Sequence, residues 1–97
     1  MTRFFVVYRE RGGPWDWSRG LREQVLWDEH AAFMEALVAD GFVVLGGPLY
    51  GDGTALLLVE ADSEREVEER FAADPWTPVG VLRTGEIRRW EILLRAQ

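Results

Sequence analysis

The sequence predicts an α+β fold in which one antiparallel sheet of four strands carries two helices, and three observations predict it. Runs rich in apolar, β-branched and aromatic residues occur four times. Two stretches with helical spacing separate them, one after the first run and one after the third. An Asp-Gly pair, Asp52-Gly53, sits between the second and third runs, where a hairpin needs its turn. The chain has 97 residues, so a single domain over residues 1–97 is expected.

The elements follow in order. RFFVVY, Arg3 to Tyr8, reads as the first strand. RERGGPWDWSRGL, Arg9 to Leu21, reads as a long loop, because Gly12, Gly13, Pro14 and Gly20 break any regular period. Loops of this length inside a compact domain are often functional. A helix is expected from Arg22 or Glu23 to Asp40, with Gly41 just past its end. FVVLGG, Phe42 to Gly47, is the second strand, and Pro48 with YGDG, Tyr50 to Gly53, makes the turn. TALLLVEA, Thr54 to Ala61, returns. Asp62 or Ser63 caps a second helix, with Glu66 completing a capping box three residues after Ser63. That helix stops by Asp74, because Pro75 disfavours helical geometry in the residue before it. PWTPVGVL is a loop, and a last strand runs from Thr84 to Leu94. The resulting order, β-α-β-β-α-β, is the ferredoxin-like arrangement, with sheet order 4-1-3-2 and both helices on one face.

The strands themselves carry a further message. FFVV, FVVL, ALLLV and EILL are apolar on consecutive residues, whereas a sheet wet on one face alternates. Both faces want burial, and the helices cover only one. A second copy packed sheet to sheet answers this, so a homodimer forming an α/β sandwich or barrel is expected; the alternative is that alternation is merely blurred in short strands.

Composition narrows the function classes. Hydrophobic residues make up 47% and charged residues 29%, as in globular chains. The net charge of -6 argues against nucleic acid and anionic membranes as partners. No cysteine is present, which removes disulfides, thiolate metal sites and cysteine nucleophiles. No run approaches the ~20 apolar residues of a membrane span, and the N-terminal apolar run is too short for a signal peptide. A cytoplasmic protein is expected.

The one histidine, His30, lies in WDEHAAFMEALVADG, Trp27 to Gly41. At about 100° per residue Trp27, His30, Met34 and Leu37 share a line, so His30 faces the sheet. A buried imidazole without a partner costs on the order of 1–3 kcal/mol, so a partner is expected. Helix phase by itself favours a core histidine bonded to a backbone carbonyl. Topology supplies another partner. The start of helix 1 and the end of helix 2, at Asp74, fall at the same sheet edge. That edge also receives the loop Gly12 to Leu21, the hairpin Gly46 to Gly53 and the segment Pro75 to Leu82. Function tends to sit on loops gathered by a rigid scaffold.

These residues also form a familiar set. WDEHAAFMEALVADGFVVLGGPL followed by a later DPW resembles the YCII-related family of small dimeric α/β-barrel proteins. His30, Gly41, Gly46-Gly47-Pro48 and Asp74-Pro75-Trp76 match the family pattern in order and spacing, and the stretch Gly12 to Leu21 resembles a longer branch. The resemblance implies a ferredoxin-like dimer similar to muconolactone isomerase-type barrels, and an active-site pair formed by His30 and Asp74.

A carboxylate beside an imidazole fixes its tautomer and leaves the other nitrogen free to move a proton. This suits proton transfer of the isomerase or lyase type. Ser18 and Ser63 sit in loop and cap contexts, so no nucleophilic serine is placed. Trp15, Trp17, Tyr50 and Trp76 fall at the functional edge and suit a flat, partly apolar ligand, with Arg19 or Arg22 for a carboxylate or hydroxyl. Trp27 and Trp90 read as core or dimer interface. Gly46, Gly47 and Pro48 let backbone approach the ligand closely. One histidine and no cysteine support neither a metal nor a cofactor. The run Asp62 to Arg70 reads as a solvated helix face held by pairs such as Glu66–Arg70. A small-molecule enzyme is one expectation; a non-catalytic ligand-binding or interaction domain on the same dimer is the other.

Overall fold

The structure, a computed structural model, describes residues 2–96. Strand β1 spans Arg3–Arg11, helix α1 Trp27–Ala39, β2 Val43–Pro48, β3 Thr54–Ala61, α2 Glu64–Ala72 and β4 Leu82–Arg89. The sheet order is β2-β3-β1-β4 and every pairing is antiparallel. This is the ferredoxin-like α+β arrangement that the element order implies.

Three boundaries differ from the sequence reading, and each has a cause. β1 continues through Arg9 and Glu10 to Arg11, because β3 offers partners as far as Glu10 and β4 as far as Arg11: Arg9 lies opposite Ala55 and Thr84, and Arg11 opposite Leu82. α1 begins at Trp27 and not at Arg22. Leu21–Glu23 instead form one 3-10 turn, and Leu26 takes a left-handed conformation with φ 59°. The cause is Gln24, whose side chain ties the loop back on itself. Its amide nitrogen donates to the carbonyls of Asp16, Arg19 and Gly20 at 2.8, 3.2 and 3.2 Å, and its Oε1 accepts from the Asp16 amide at 2.9 Å. β4 stops at Arg89, five residues before Leu94, because β1 has run out: the Trp90 amide still bonds the Phe4 carbonyl at 2.9 Å, and nothing of β1 lies beyond Arg3. Trp90, expected in a core or interface, is half-exposed, and Leu93 and Leu94 are exposed.

The cap of α2 forms with a small displacement. Ser63 Oγ accepts from the Glu66 amide at 3.1 Å, while Glu66 reaches back to the Asp62 amide at 2.7 Å. Glu66 is therefore occupied and does not pair with Arg70. Arg70 pairs with Asp40 and lies over the Phe42 ring, and the exposed i,i+4 pair is Arg65–Glu69 at 3.1 Å.

The core lies between the helices and one sheet face. Phe5 and Val7 of β1 and Leu57 and Val59 of β3 meet Leu37 of α1 and Val67 and Phe71 of α2. Phe42 and Phe71 pack edge to face with centroids 5.6 Å apart. On the other face Phe4, Val6, Tyr8 and Leu56 are half-buried. β2 carries a bulge between Val43 and Leu45, so Val43 faces the helices, Leu45 faces away, and Gly46 comes opposite Leu57 on the helix side. A Cβ on Gly46 would stand 2.9 Å from Leu57 Cγ, so only glycine permits this approach. Among the described residues no helix is long and apolar enough to cross a membrane.

Phe71 is fully buried and joins both helices to the sheet. Phe71→Ala is expected to cost about 3–5 kcal/mol, read as a shift of the urea midpoint with little change in slope. A loss below about 1 kcal/mol would contradict this account of the core.

Candidate active site

The site begins where α2 ends. The Asp74 amide donates to the Phe71 carbonyl at 3.1 Å, and the Thr77 amide donates to the Asp74 carbonyl at 2.9 Å. Pro75 supplies no N–H, so the next free amide, that of Trp76, turns onto Asp74 Oδ1 at 2.9 Å. The short segment Asp-Pro-Trp-Thr closes on itself and aims the Asp74 carboxylate inward, fully buried.

Two side chains meet that carboxylate. His30, in the first turn of α1, places Nδ1 2.9 Å from both Oδ1 and Oδ2. Arg9 of β1 donates from Nη1 to Oδ2 at 3.3 Å and from Nη2 to Thr77 Oγ1 at 3.2 Å. Thr77 Oγ1 in turn donates to the Phe71 carbonyl at 2.8 Å. Arg9 Nε is buried without a partner among the described residues, and the guanidinium lies 4.9 Å from the Phe71 ring centroid. Burial pushes the Arg9 guanidinium below its usual value, with the Asp74 charge and hydrogen bond opposing. Burial pushes Asp74 up. The His30 hydrogen bond, the Trp76 amide and the charges of His30 and Arg9 outweigh it and hold the carboxyl below its ordinary value.

Aromatic rings fix the imidazole plane. The Trp76 ring stacks on His30 at 3.7 Å with 10° between planes, and Trp27 leans on it at 5.8 Å. Trp76 is itself held by Trp15, edge-on at 5.7 Å, and by a hydrogen bond from Nε1 to the Val25 carbonyl. His30 Nδ1 is committed to Asp74, while Nε2 makes no hydrogen bond among the described residues, and the ring lines a cavity of about 620 Å³. The walls are largely apolar: Trp15, Leu21, Trp27, Met34, Val43 and Leu57 are among them.

Of the residues singled out in the sequence, His30, Trp15, Gly46, Gly47, Pro48 and Trp76 line this cavity. Asp74 stands behind His30 and holds it. Trp27, read from the sequence as core or interface, also lines the wall. Trp17, Arg22 and Tyr50 do not. Trp17 is 66% exposed and packs on the outer side of Trp15 at 6.4 Å. Arg22 is exposed and lies 5.8 Å over Trp27, outside the cavity. Tyr50 is wholly exposed at the hairpin tip, because the Leu49 amide closes the hairpin on the Thr54 carbonyl at 2.8 Å and leaves the next residues beyond the rim. Arg9 and Arg11 line the cavity and were missed as loop residues. The signal was the period-two continuation of Phe5 and Val7, which puts both arginines on the helix-facing side. Among the described residues no three His, Cys, Asp or Glu side chains gather as a metal site would need.

The chain matches the YCII-related domain over residues 18–91 and belongs to that family. It is similar to the solved structure of 5-chloro-2-hydroxyhydroquinone dehydrochlorinase (TftG) from Burkholderia phenoliruptrix AC1100 in complex with 2,5-dihydroxybenzoquinone. Sequence identity is 27%, the TM-score is 0.62, and the match covers 91% of this chain and 93% of the other. No curated protein matches significantly. The family match begins after Trp17, so Arg9, Arg11 and Trp15 lie outside it.

Asp74→Asn keeps the shape and removes the charge, leaving Arg9 buried and uncompensated. It is expected to destabilise the fold by about 3–5 kcal/mol. The pH dependence has a definite sign. A carboxyl with a lowered folded pKa contributes stability that is whole above its ordinary value of 3.8 and is lost as pH falls through the lower folded value. Wild type is expected to lose stability over that acid window, and Asp74→Asn to lose less there. Parallel stability curves for the two proteins in that window would contradict the assignment.

Proposed function

We propose that the protein is a small-molecule enzyme of the isomerase or lyase type. In this reading it acts in the cytoplasm on a flat, hydroxylated ring, with His30 as the acid/base and Asp74 as its anchor. The observation that carries this is His30 itself: one nitrogen bonded to a buried carboxylate, the other without a partner among the described residues, in the wall of an apolar cavity. The similarity to a dehydrochlorinase whose structure holds dihydroxybenzoquinone supports both the ligand class and the reaction class.

The chemistry follows from that arrangement. His30 Nε2 takes a proton from a hydroxyl or an activated carbon of the ring, and the freed electron pair moves into the ring. In an isomerisation the imidazolium returns the proton at a second carbon. In an elimination the imidazolium returns the proton to the chlorine-bearing carbon. A second hydroxyl proton is then removed to solvent through His30. The electron pair it leaves passes through the ring and expels chloride, so that HCl is lost and a quinone remains. The imidazolium formed on the way stays hydrogen-bonded to the Asp74 carboxylate that it shares with Arg9, and the anionic ring left by proton removal balances its charge. Trp76 holds the ring plane, which keeps Nε2 aimed at one position on the ligand. A homodimer through the sheet face away from the helices belongs to the same reading. Its support is the half-buried Phe4, Val6, Tyr8 and Leu56, which no helix covers.

The test uses chloride release from 5-chloro-2-hydroxyhydroquinone and deuterium uptake from solvent into the ring of 2,5-dihydroxybenzoquinone. Wild type is expected to accelerate at least one of these. His30→Gln, which keeps a polar side chain, is expected to lower that rate about 10²–10⁴-fold with ligand binding retained. Equal rates for wild type and His30→Gln would leave a binding module as the reading.

A further inference from the structure

We propose that Arg11 is the residue that binds an anionic oxygen of the ligand, so that the cavity selects rings bearing a carboxylate or an ionised enolic hydroxyl. This rests on the reading of the cavity as the ligand site and adds a charge requirement to it. Arg11 follows Arg9 by two positions on β1, so it projects from the same sheet face about 7 Å further along. Both arginines line the cavity, but their surroundings differ. Arg9 is neutralised by Asp74 at 3.3 Å. Arg11 has no ion pair and no side-chain hydrogen bond among the described residues, whereas the nearby Arg83 is paired with Glu10 at 3.1 Å and Arg19 with Asp16 at 3.4 Å.

Arg11 is nevertheless held in place. Its guanidinium lies 4.2 Å from the Trp15 ring centroid and 5.1 Å from that of Trp17. Cation–π contact uses the flat face of a guanidinium and leaves the N–H edge free for a planar oxygen pair. Gly53 makes room for the stack: a Cβ there would stand 2.9 Å from Trp17 Cη2 and 3.0 Å from Arg11 Cδ. The carboxylate in the wall, Glu35, is exposed on α1 and makes no pair with Arg11 among the described residues. The wall thus presents a balanced Arg9–Asp74 pair behind the acid/base and one oriented, unbalanced cation at the strand end. A partly desolvated cation without a counter-ion is unfavourable until an anion arrives. The role that the sequence reading offered to Arg19 or Arg22 falls to Arg11, since Arg19 is paired with Asp16 and Arg22 lies outside the cavity.

Tryptophan fluorescence quenching tests this with three planar probes: 2,5-dihydroxybenzoate, 2,5-dihydroxybenzoquinone and the neutral 2,5-dihydroxybenzamide. Wild type is expected to bind at least one of the acidic probes about tenfold or more tighter than the amide, as a charge-assisted bond would give. The better of the two separates a carboxylate from an ionised hydroxyl. Arg11→Met, which keeps the stem against the indoles, is expected to erase the preference and leave amide affinity unchanged. Arg11→Lys is expected to keep part of it. Should Arg11→Met fail to fold, the wild-type preference and the Arg11→Lys loss decide. Equal wild-type affinity for all three probes, or a preference that survives in Arg11→Met, overturns this inference alone. Binding of no probe overturns it together with the cavity reading. Turnover that depends on His30 but not on Arg11 leaves the acid/base standing without the anion site.

Discussion

The buried carboxylate of Asp74 is the constraint on which the site depends. A carboxylate removed from water is tolerated only when charged and polar partners surround it. Here the partners come from three directions: the guanidinium of Arg9 from the central strand, the imidazole of His30 from the first turn of α1, and the Trp76 amide from the turn after α2. Satisfying one charge therefore fixes the relative placement of β1, α1 and the end of α2. Residues 44 and 65 positions away from Asp74 in the chain become its neighbours. The same contacts that make the charge tolerable also commit one imidazole nitrogen and leave the other facing the cavity.

Aromatic packing extends that order outward. Trp76 stacks on His30, Trp15 meets Trp76 edge-on, and Arg11 caps Trp15. The loop that carries Trp15 would be an expensive 15-residue excursion if it were loose. Gln24 pins it by bonding backbone groups at Asp16, Arg19 and Gly20, and the left-handed Leu26 returns the chain to α1. Strain at Leu26 thus sits four residues before the histidine, where the surrounding bonds hold it.

Much of this was legible in the sequence. Turn residues and apolar runs convey the strand order. The phase of Trp27, His30 and Met34 places the histidine inward, and β-α-β-β-α-β topology brings Asp74 to the same edge. The arginines of β1 were not legible as site residues, because a charged stretch before Gly12-Gly13-Pro14 looks like the start of a loop. The period-two continuation of Phe5 and Val7 hints that the strand goes on, but pairing with β3 and β4 is what carries it to Arg11, and the distant Asp74 is what makes a buried Arg9 tolerable. Tyr50 misled in the opposite sense: an aromatic residue beside the Gly46-Gly47-Pro48 segment looks like a pocket wall, but the tight hairpin carries it past the rim. Gln24 had no local signal, since its partners are backbone groups of an irregular loop.

Whether Asp74 orients His30 shows in which ring nitrogen carries the proton when the ring is neutral. Because the chain has one histidine, long-range proton–nitrogen NMR spectra of the labelled protein report it without assignment. The structure requires the Nδ1–H form, with Nδ1 donating to Asp74 and a bare Nε2 toward the cavity. A neutral ring protonated on Nε2 would mean that Asp74 does not orient the histidine, and the acid/base assignment would fall with it.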